Sequence, residues 1–360
     1  MKKILAGLLA AAVTAGCIGC GNQGTAGPKD ETVPGKAVEE TSAQGSEGTS
    51  SGNEITLKVA SEYSRTEPIG QALEQWASLV EERGDGSLKI VIYPDSQLGG
   101  KTDIIDALLM GEPDIVGADP AFMAEYGVPD LGILFGPFLF DSREQCAMLT
   151  ESEWYQEQCG KLEEKGLKVI DSTWITGVRH LLTNKLVHSP EDIKGMKIRV
   201  PANQIQTESF NVLGASATAM NLSEVYTALQ TGTIDGGENP LSTLYNRKFQ
   251  EVSKYLLKTG HVRVISMWTM SSDVWNRMTP GQQELLTSTL AEVGQEFNVQ
   301  QEKADDEYEE KFREEGVTVQ ELSDAERQQW IDASRPFYDK GSSFGWSDGL
   351  YEDVLKAIGK

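Results

Sequence analysis

The stretch from Gly195 to Pro240 constrains the fold more than any other part of this sequence. Polar and apolar residues alternate over Lys197 to Val200, which predicts a half-buried strand. A helix pattern follows and ends at Gly214. Asn221 and Glu224 then have the spacing of a capping box, which predicts the start of a second helix. The stretch therefore reads as strand, helix, helix and strand, the pattern of an α/β protein.

Two polar groups lie at the ends of these predicted strands. Arg199 lies on the first strand, just before a helix. A second short strand begins at Ile234 and ends in a predicted turn of Glu238, Asn239 and Pro240. Ligands of open α/β sheets bind outside the carboxyl ends of the strands. We therefore predict that Arg199 holds an organic carboxylate there. The alternation around Arg199, taken alone, favours instead a solvated arginine on a polar strand face.

The bulk composition limits the partners of the chain. Its 360 residues suffice for two α/β lobes with cores of their own. With 55 acidic and 32 basic side chains the formal net charge is −23. That charge argues against nucleic acid or an anionic membrane surface as a partner. It also repels an anionic ligand at long range, so cations within a site would have to overcome it.

The N-terminal region carries the signals of an exported protein. Two lysines precede an apolar run from Ile4 to Ile18, which is too short for a permanent membrane span and predicts a signal peptide over residues 1–20. Small residues lead to Cys17 and to Cys20, typical of a bacterial lipobox whose cysteine is lipidated. Cys20 is favoured, Cys17 is the alternative site, and an ordinary cleaved signal is the other interpretation. Residues 21–53 are polar and lack apolar periodicity, which predicts a flexible tether with a reach of about 30 Å.

From Glu54 onward strand and helix patterns alternate, which predicts an α/β fold with a parallel sheet. The clearest helix start is Thr279–Pro280, where a threonine N-cap precedes a proline at the first helical position. An apolar stripe continues to Gly316, more than thirty residues or about 50 Å. A helix of that length must cross from one lobe to the other or line both. Cys146 and Cys159 allow either a disulfide or two free thiols.

The motifs of common enzymes are absent from the sequence. There are three histidines, and neither a zinc-protease, a Walker nor a nucleophile-elbow motif occurs. The cysteines lack metal-ligand spacing, so we expect neither metal nor cofactor. His180 follows Arg179 and could touch a ligand, although a histidine in such a position is more often structural. These features predict a binding protein, with an enzyme as the second interpretation.

The central stretch resembles a known family. Its segments KIRVP, LGASATAM and SEVYTALQTGTIDGGENP are similar to the solute-binding subunits of TRAP (tripartite ATP-independent periplasmic) transporters of the DctP type. The segment YPDSQLGG at 93–100 resembles the family's YPxxQLG loop, and GVRHLLTN at 177–184 resembles its G-x-R segment. The resemblance extends over about residues 55–360.

The resemblance implies a particular architecture. Two α/β lobes are joined by hinge strands, a long helix runs across both, and the lobes close on a ligand in the cleft. On this basis we expect residues 54–176 and 265–304 in the first lobe. Residues 177–264 and 305–360 would form the second.

The resemblance also implies roles for single residues. Arg199 matches the arginine that pairs with the ligand carboxylate, Arg179 a second arginine that often assists, and Asn239 an asparagine that bonds the ligand. Three first-lobe residues match positions that contact ligand in sialic-acid-binding members: Glu62, Lys101 and Asp119. Two departures argue against sialic acid and favour a smaller acid: Lys101 stands at an acidic position, and Phe122 stands where those members carry an arginine.

The function implied is that of an exported lipoprotein without enzymatic activity. It would capture a small organic acid, a C4-dicarboxylate or a sugar acid, and hand it to the small and large membrane subunits of a TRAP transporter driven by an ion gradient. A binding lipoprotein of an ATP-driven importer is one alternative. A secreted hydrolase or lyase acting on acidic sugars is the other.

Overall fold

The computed structural model describes residues 54–360. The predicted signal peptide over residues 1–20, with Cys17 and Cys20, and the predicted tether over residues 21–53 lie outside the described residues. Within residues 54–360 no helix is both long enough and apolar enough to cross a membrane.

The described chain forms one mixed sheet of nine strands. The strands are β1 (Ile55–Ala60), β2 (Leu88–Tyr93), β3 (Ile115–Ala118), β4 (Leu167–Thr183), β5 (Lys197–Val200), β6 (Ser216–Ala219), β7 (Gly236–Pro240), β8 (Tyr255–Ser271) and β9 (Thr318–Glu321). Their order is β2–β1–β3–β8–β4–β7–β5–β6, and β9 lies beside β8.

The prediction of a parallel sheet holds only for its outer parts. β2, β1 and β3 are parallel to each other, as are β7, β5 and β6. In the middle, β8 runs antiparallel to both β3 and β4, and β4 runs antiparallel to β7. Strand direction depends on how the chain crosses between the lobes, and local sequence patterns do not contain that information.

Two long strands connect the two lobes. β4 and β8 are each 17 residues long and pair from Leu167 opposite Ser271 to Thr183 opposite Tyr255. One end of this pair carries β3, and the other carries β7 and β9. We call the part around β1–β3 the first lobe and the part around β5–β7 and β9 the second lobe. Four register shifts interrupt the pairing of β4 with β8, and such bulges bend strands.

Helices cover both faces of the sheet. They are α1 (Pro68–Arg83), α2 (Lys101–Leu109), α3 (Pro120–Met123), α4 (Arg143–Thr150), α5 (Glu153–Glu164), α6 (Gln204–Asn211), α7 (Val225–Gln230), α8 (Leu241–Asn246), α9 (Ser272–Arg277), α10 (Pro280–Glu314), α11 (Asp324–Ser334), α12 (Gly341–Phe344) and α13 (Leu350–Ala357). α4 and α5 are separate helices, because the hydroxyl of Ser152 accepts from Tyr155 N and caps α5.

The long helix α10 reaches both lobes, as predicted. Its 35 residues begin at the Thr279 capping box. Near its start, the Nε1 of Trp76 in α1 donates to the Leu286 carbonyl at 3.3 Å. Near its end, the Tyr308 hydroxyl accepts from Asn246 Nδ2 in α8 at 2.8 Å. The α/β class with two lobes and a spanning helix is thus confirmed.

A tryptophan-rich core fixes α10 on the first lobe. Trp174 is fully buried, its ring lies 5.2 Å from that of Trp268, and its Nε1 donates to the Leu290 carbonyl. Gly294 permits this approach, since a Cβ there would lie 2.3 Å from Trp174 Nε1. Trp174 is therefore a core residue and does not line the ligand cleft.

The C-terminal segment corrects the expected division of the lobes. We expected all of residues 305–360 in the second lobe, but Phe337, Trp346 and Val354 belong to the hydrophobic cluster of the first lobe. Ser347 bonds the Asp130 carboxylate through both its backbone N and its hydroxyl. The reason is tertiary packing of aromatic residues, which periodicity does not reveal. The remaining lobe boundaries stay a prediction.

Candidate functional site

A cavity lies where the two lobes meet, and all six residues predicted to bind ligand line it. The space free of protein atoms in and around it, open solvent included, is about 560 Å³. Three of the six come from the first lobe, Arg179 lies on the connecting strand β4, and two come from the second lobe. The lining includes Glu62, Tyr63, Lys101, Asp119, Phe122, Thr176, Arg179, Arg199, Met220, Asn221, Asn239, Val264 and Ser266.

The ends of the parallel strands position these side chains. Glu62 follows β1, and Asp119 follows β3 and precedes the short helix α3. Lys101 is the first residue of α2, directly after the Gly99–Gly100 loop. In the second lobe, Arg199 lies on β5 and Asn239 on β7. Glu238, Asn239 and Pro240 thus form part of a strand, whereas we expected a turn there.

Arg199 is buried and has no acidic partner. It is 3 % exposed, and in the described part of the chain no carboxylate lies within ion-pair distance. Its Nε and Nη2 donate to the Met220 carbonyl at 2.9 and 2.6 Å, while its Nη1 is buried without a partner. Burial lowers the pKa of Arg199 to about 10 and nearby Arg179 adds to this, although Glu238 opposes both. The solvated arginine that periodicity favoured is therefore wrong.

The two bonds to Met220 orient the guanidinium. An arginine has five N–H groups, of which the Met220 carbonyl takes one from Nε and one from Nη2. Two N–H groups on Nη1 and one on Nη2 remain. The edge formed by Nη1 and Nη2 can therefore offer two parallel donors, which is the geometry that a carboxylate accepts.

Arg179, in contrast, is already neutralised. Its Nη2 donates to Glu238 Oε1 at 2.6 Å, and its Nε also contacts the Glu238 carboxylate. His261 Nε2 lies 3.1 Å from Glu238 Oε2. Burial opposes ionisation of Glu238, but Arg179 and His261 outweigh it and hold the pKa of Glu238 at about 2. Arg179 thus brings positive charge near the cavity together with its own counter-ion.

Lys101 is the third cation and is also paired. Its Nζ lies 3.0 Å from Glu62 Oε2 and donates to the Gly117 carbonyl at 2.7 Å. The ammonium group also lies 5.8 Å from the centre of the Tyr63 ring. Although burial acts in the opposite direction, Glu62 and Tyr63 raise the pKa of Lys101 above its usual value.

Asp119 has no cation within ion-pair distance among residues 54–360. Gln206 Nε2 donates to its Oδ1 at 3.3 Å. Burial raises the pKa of Asp119 to about 6, despite the opposing charges of Lys101 and Arg179. The cavity therefore combines three cations with acceptor groups from both lobes.

Sequence reasoning missed several residues of this site. Glu238 belongs to the central stretch, but nothing in its sequence position indicated that it pairs with Arg179. Thr176 lines the cavity, and its hydroxyl is buried without a partner. Its neighbours in sequence provide no signal for this position, because β4 is irregular there. Asn221, predicted as a helix cap, lines the cavity as well.

The two lobes touch each other around the cavity. Gly100 in the first lobe lies so close to Asn221 in the second that a Cβ at Gly100 would be 2.5 Å from Asn221 Oδ1. On another side, Thr243 Oγ1 donates to Glu67 Oε2 at 3.1 Å, and Arg247 lies 3.5 Å from the same carboxylate. These contacts join the two lobes beside the cavity, and we call this arrangement closed.

The other sequence candidates lie away from the cavity. His180 is buried, its Nδ1 accepts from Gly260 N, and burial lowers its pKa to about 3, as expected of a structural histidine. Cys146 and Cys159 are free thiols. Over residues 54–360 no group of three or more histidine, cysteine or acidic side chains has the arrangement of a metal site.

The chain matches the family model described as bacterial extracellular solute-binding protein, family 7, over residues 59–343. It is 30 % identical over 265 residues to the sialic acid-binding periplasmic protein of Vibrio cholerae, which covers 73 % of this chain and 82 % of that protein. It is 29 % identical over 277 residues to the C4-dicarboxylate-binding periplasmic protein of the same organism, covering 76 % and 82 %.

Solved structures agree with this match. The crystal structure of a TRAP periplasmic solute-binding protein from Ochrobacterium anthropi with bound L-fuconate has a TM-score of 0.80 and 33 % identity. The match covers 85 % of this chain and 99 % of that one.

Proposed function

Because the chain belongs to family 7 of the bacterial extracellular solute-binding proteins, we propose that it captures a small organic acid by pairing the acid's carboxylate with Arg199. TRAP solute-binding proteins of this family are extracytoplasmic, bind small acids and work with membrane subunits. They are binding proteins rather than enzymes, which removes the secreted hydrolase or lyase as an alternative. Because the relatives are TRAP proteins, a binding lipoprotein of an ATP-driven importer is also removed as an alternative.

The observation that carries the proposal is the unpaired, buried guanidinium of Arg199. A buried charge without a partner is costly, and proteins retain such groups where a ligand completes them. A ligand carboxylate at the Nη1–Nη2 edge would form two charge-assisted hydrogen bonds. It would supply the counter-ion that the described protein does not.

The remaining predicted residues complete the pocket. Desolvating two ions costs several kcal/mol, so net affinity requires further donors around the ligand. We propose that Asn239 supplies one, that Arg179 adds positive potential, and that Glu62, Lys101 and Asp119 contact the rest of the molecule. Because these residues come from both lobes, lobe closure brings them together, and the ligand shifts the open–closed equilibrium through its contacts in the closed state.

We also propose a lipid anchor outside the cell membrane. Lipidation at Cys20, or at Cys17, would hold the binding body near the membrane through the tether of residues 21–53. The small and large TRAP subunits would receive the acid there. Labelling of growing cells with an alkyne fatty acid tests this, since labelling of wild-type chain must disappear in the variant that lacks the modified cysteine.

A thermal-shift panel of organic acids, followed by calorimetric titration of the best one, tests the proposed function. We expect at least one acid to raise the melting temperature and to bind with one-to-one stoichiometry. The neutral alcohol or amide of that acid serves as the matched ligand control and should not bind. Equal affinity for the acid and its neutral analogue would contradict the carboxylate pairing.

A further inference from the structure

The charges of the cavity discriminate between classes of organic acid. We infer that the ligand carries one carboxylate and several hydroxyl groups, as aldonates and uronates do, and that dicarboxylates are disfavoured. This inference rests on the proposed function, because it assumes that an acid binds Arg199 in this cavity.

The cavity offers one free cation to a ligand. Of its three cations, Lys101 is paired with Glu62 at 3.0 Å and Arg179 with Glu238 at 2.6 Å. Arg199 has no carboxylate partner among residues 54–360. One ligand carboxylate therefore completes the pairing, and a second has no cation left to meet.

A second carboxylate would instead approach the acidic side of the cavity. Glu62 and Asp119 both line it, and the pKa of Asp119, about 6, leaves that group ionised at pH 7.5. Like charges in a poorly solvated site repel each other strongly. If Lys101 paired with the second carboxylate of a ligand, Glu62 would lose its own cation, so the number of ion pairs would not increase.

Hydroxyl groups suit the same side of the cavity. Ionised carboxylates accept hydrogen bonds but cannot donate them, so Glu62 and Asp119 can accept from ligand hydroxyls in addition to Lys101 and Gln206. The buried hydroxyl of Thr176 also has no partner and can bond a ligand hydroxyl in either direction. Hydroxyl-to-carboxylate bonds are charge-assisted and short, and they would hold a polyhydroxylated chain extending from Arg199.

Matched ligand pairs test this inference at pH 7.5. Gluconate and glucarate, galactonate and galactarate, and mannonate and mannarate differ only in whether the last carbon is a hydroxymethyl group or a carboxylate. Succinate and hexanoate add a dicarboxylate and a monocarboxylate without hydroxyls. Calorimetric titration should show that the best aldonate binds at least about tenfold tighter than its aldarate, than succinate and than hexanoate.

The outcomes separate this inference from the proposed function. If succinate or an aldarate binds as tightly as the best aldonate, or if hexanoate does, the inference is overturned and the carboxylate pairing stands. If the best ligand binds equally well to Arg199→Ala, or if none of these acids binds, the proposed function fails.

A variant tests the charge argument directly. Glu62→Gln removes one negative charge and leaves Lys101 without its partner, so the aldonate-to-aldarate affinity ratio should fall at least about tenfold. Glu81→Gln, an exposed change of the same type, should leave the ratio unchanged. An unchanged ratio in folded Glu62→Gln would overturn the charge argument, and a melting curve verifies folding.

Discussion

Replacing Arg199 with alanine should abolish most of the affinity for the ligand. The substitution would leave a ligand carboxylate buried without a counter-ion. Removal of one partner of a buried ion pair costs about 3–5 kcal/mol. Since about 1.4 kcal/mol corresponds to a tenfold change, the dissociation constant should rise about a hundredfold or more, with tenfold as the minimum.

Arg199→Lys tests the geometry separately from the charge. Lysine keeps the positive charge but lacks the planar fork, so it cannot bond the Met220 carbonyl and both carboxylate oxygens together. We expect its affinity to lie between those of wild type and Arg199→Ala. The unliganded Arg199→Ala protein should change little in stability, because the lost bonds to Met220 and the relieved burial of a charge oppose each other.

Isothermal titration calorimetry with the best acid measures these effects, and Arg335→Ala is the matched control, because Arg335 is exposed. The control should retain wild-type affinity. If folded Arg199→Ala bound the acid within about threefold of wild type, the reasoning on Arg199 would be refuted.

Three further predictions concern buried groups. Glu238→Gln should lower the free energy of unfolding in urea by about 3–5 kcal/mol, because Arg179 loses its counter-ion; a loss below about 1 kcal/mol would argue against this pair. The raised pKa of Asp119, about 6 against 3.8, implies stability that is present below about pH 4 and lost as pH rises through about 6. Asp119→Asn should therefore gain about 2 kcal/mol over wild type between pH 4 and pH 7.5, and a pH-independent difference would contradict it. Gly294→Ala should cost about 1–3 kcal/mol, because its Cβ would overlap Trp174, whereas Gly281→Ala, with open space at its Cβ, should be nearly neutral.

Sequence patterns predicted those helices and strands whose ends are determined by neighbouring residues. The strand β5 and the helix α10 begin and end where alternation, proline and capping residues indicate. The long strand β4 is harder to predict from alternation, because register shifts interrupt its pairing along its 17 residues.

The candidate site is formed by residues that are far apart in the sequence. Local patterns therefore could not predict which residues meet there. Periodicity alone placed Arg199 in solvent, and only the family resemblance grouped it with first-lobe residues such as Lys101. The pairing of Arg179 with Glu238 spans 59 residues, so neither partner marks the other in sequence. Thr176 faces the cavity only because the irregular part of β4 turns it there.

The most direct test is a crystal structure of the protein with the tightest-binding acid. It should show the ligand carboxylate at the Nη1–Nη2 edge of Arg199, with two donor–acceptor distances of about 2.7–2.9 Å. A bound acid whose carboxylate pairs with Lys101 or Arg179 and lies beyond hydrogen-bond reach of Arg199 would contradict the central claim.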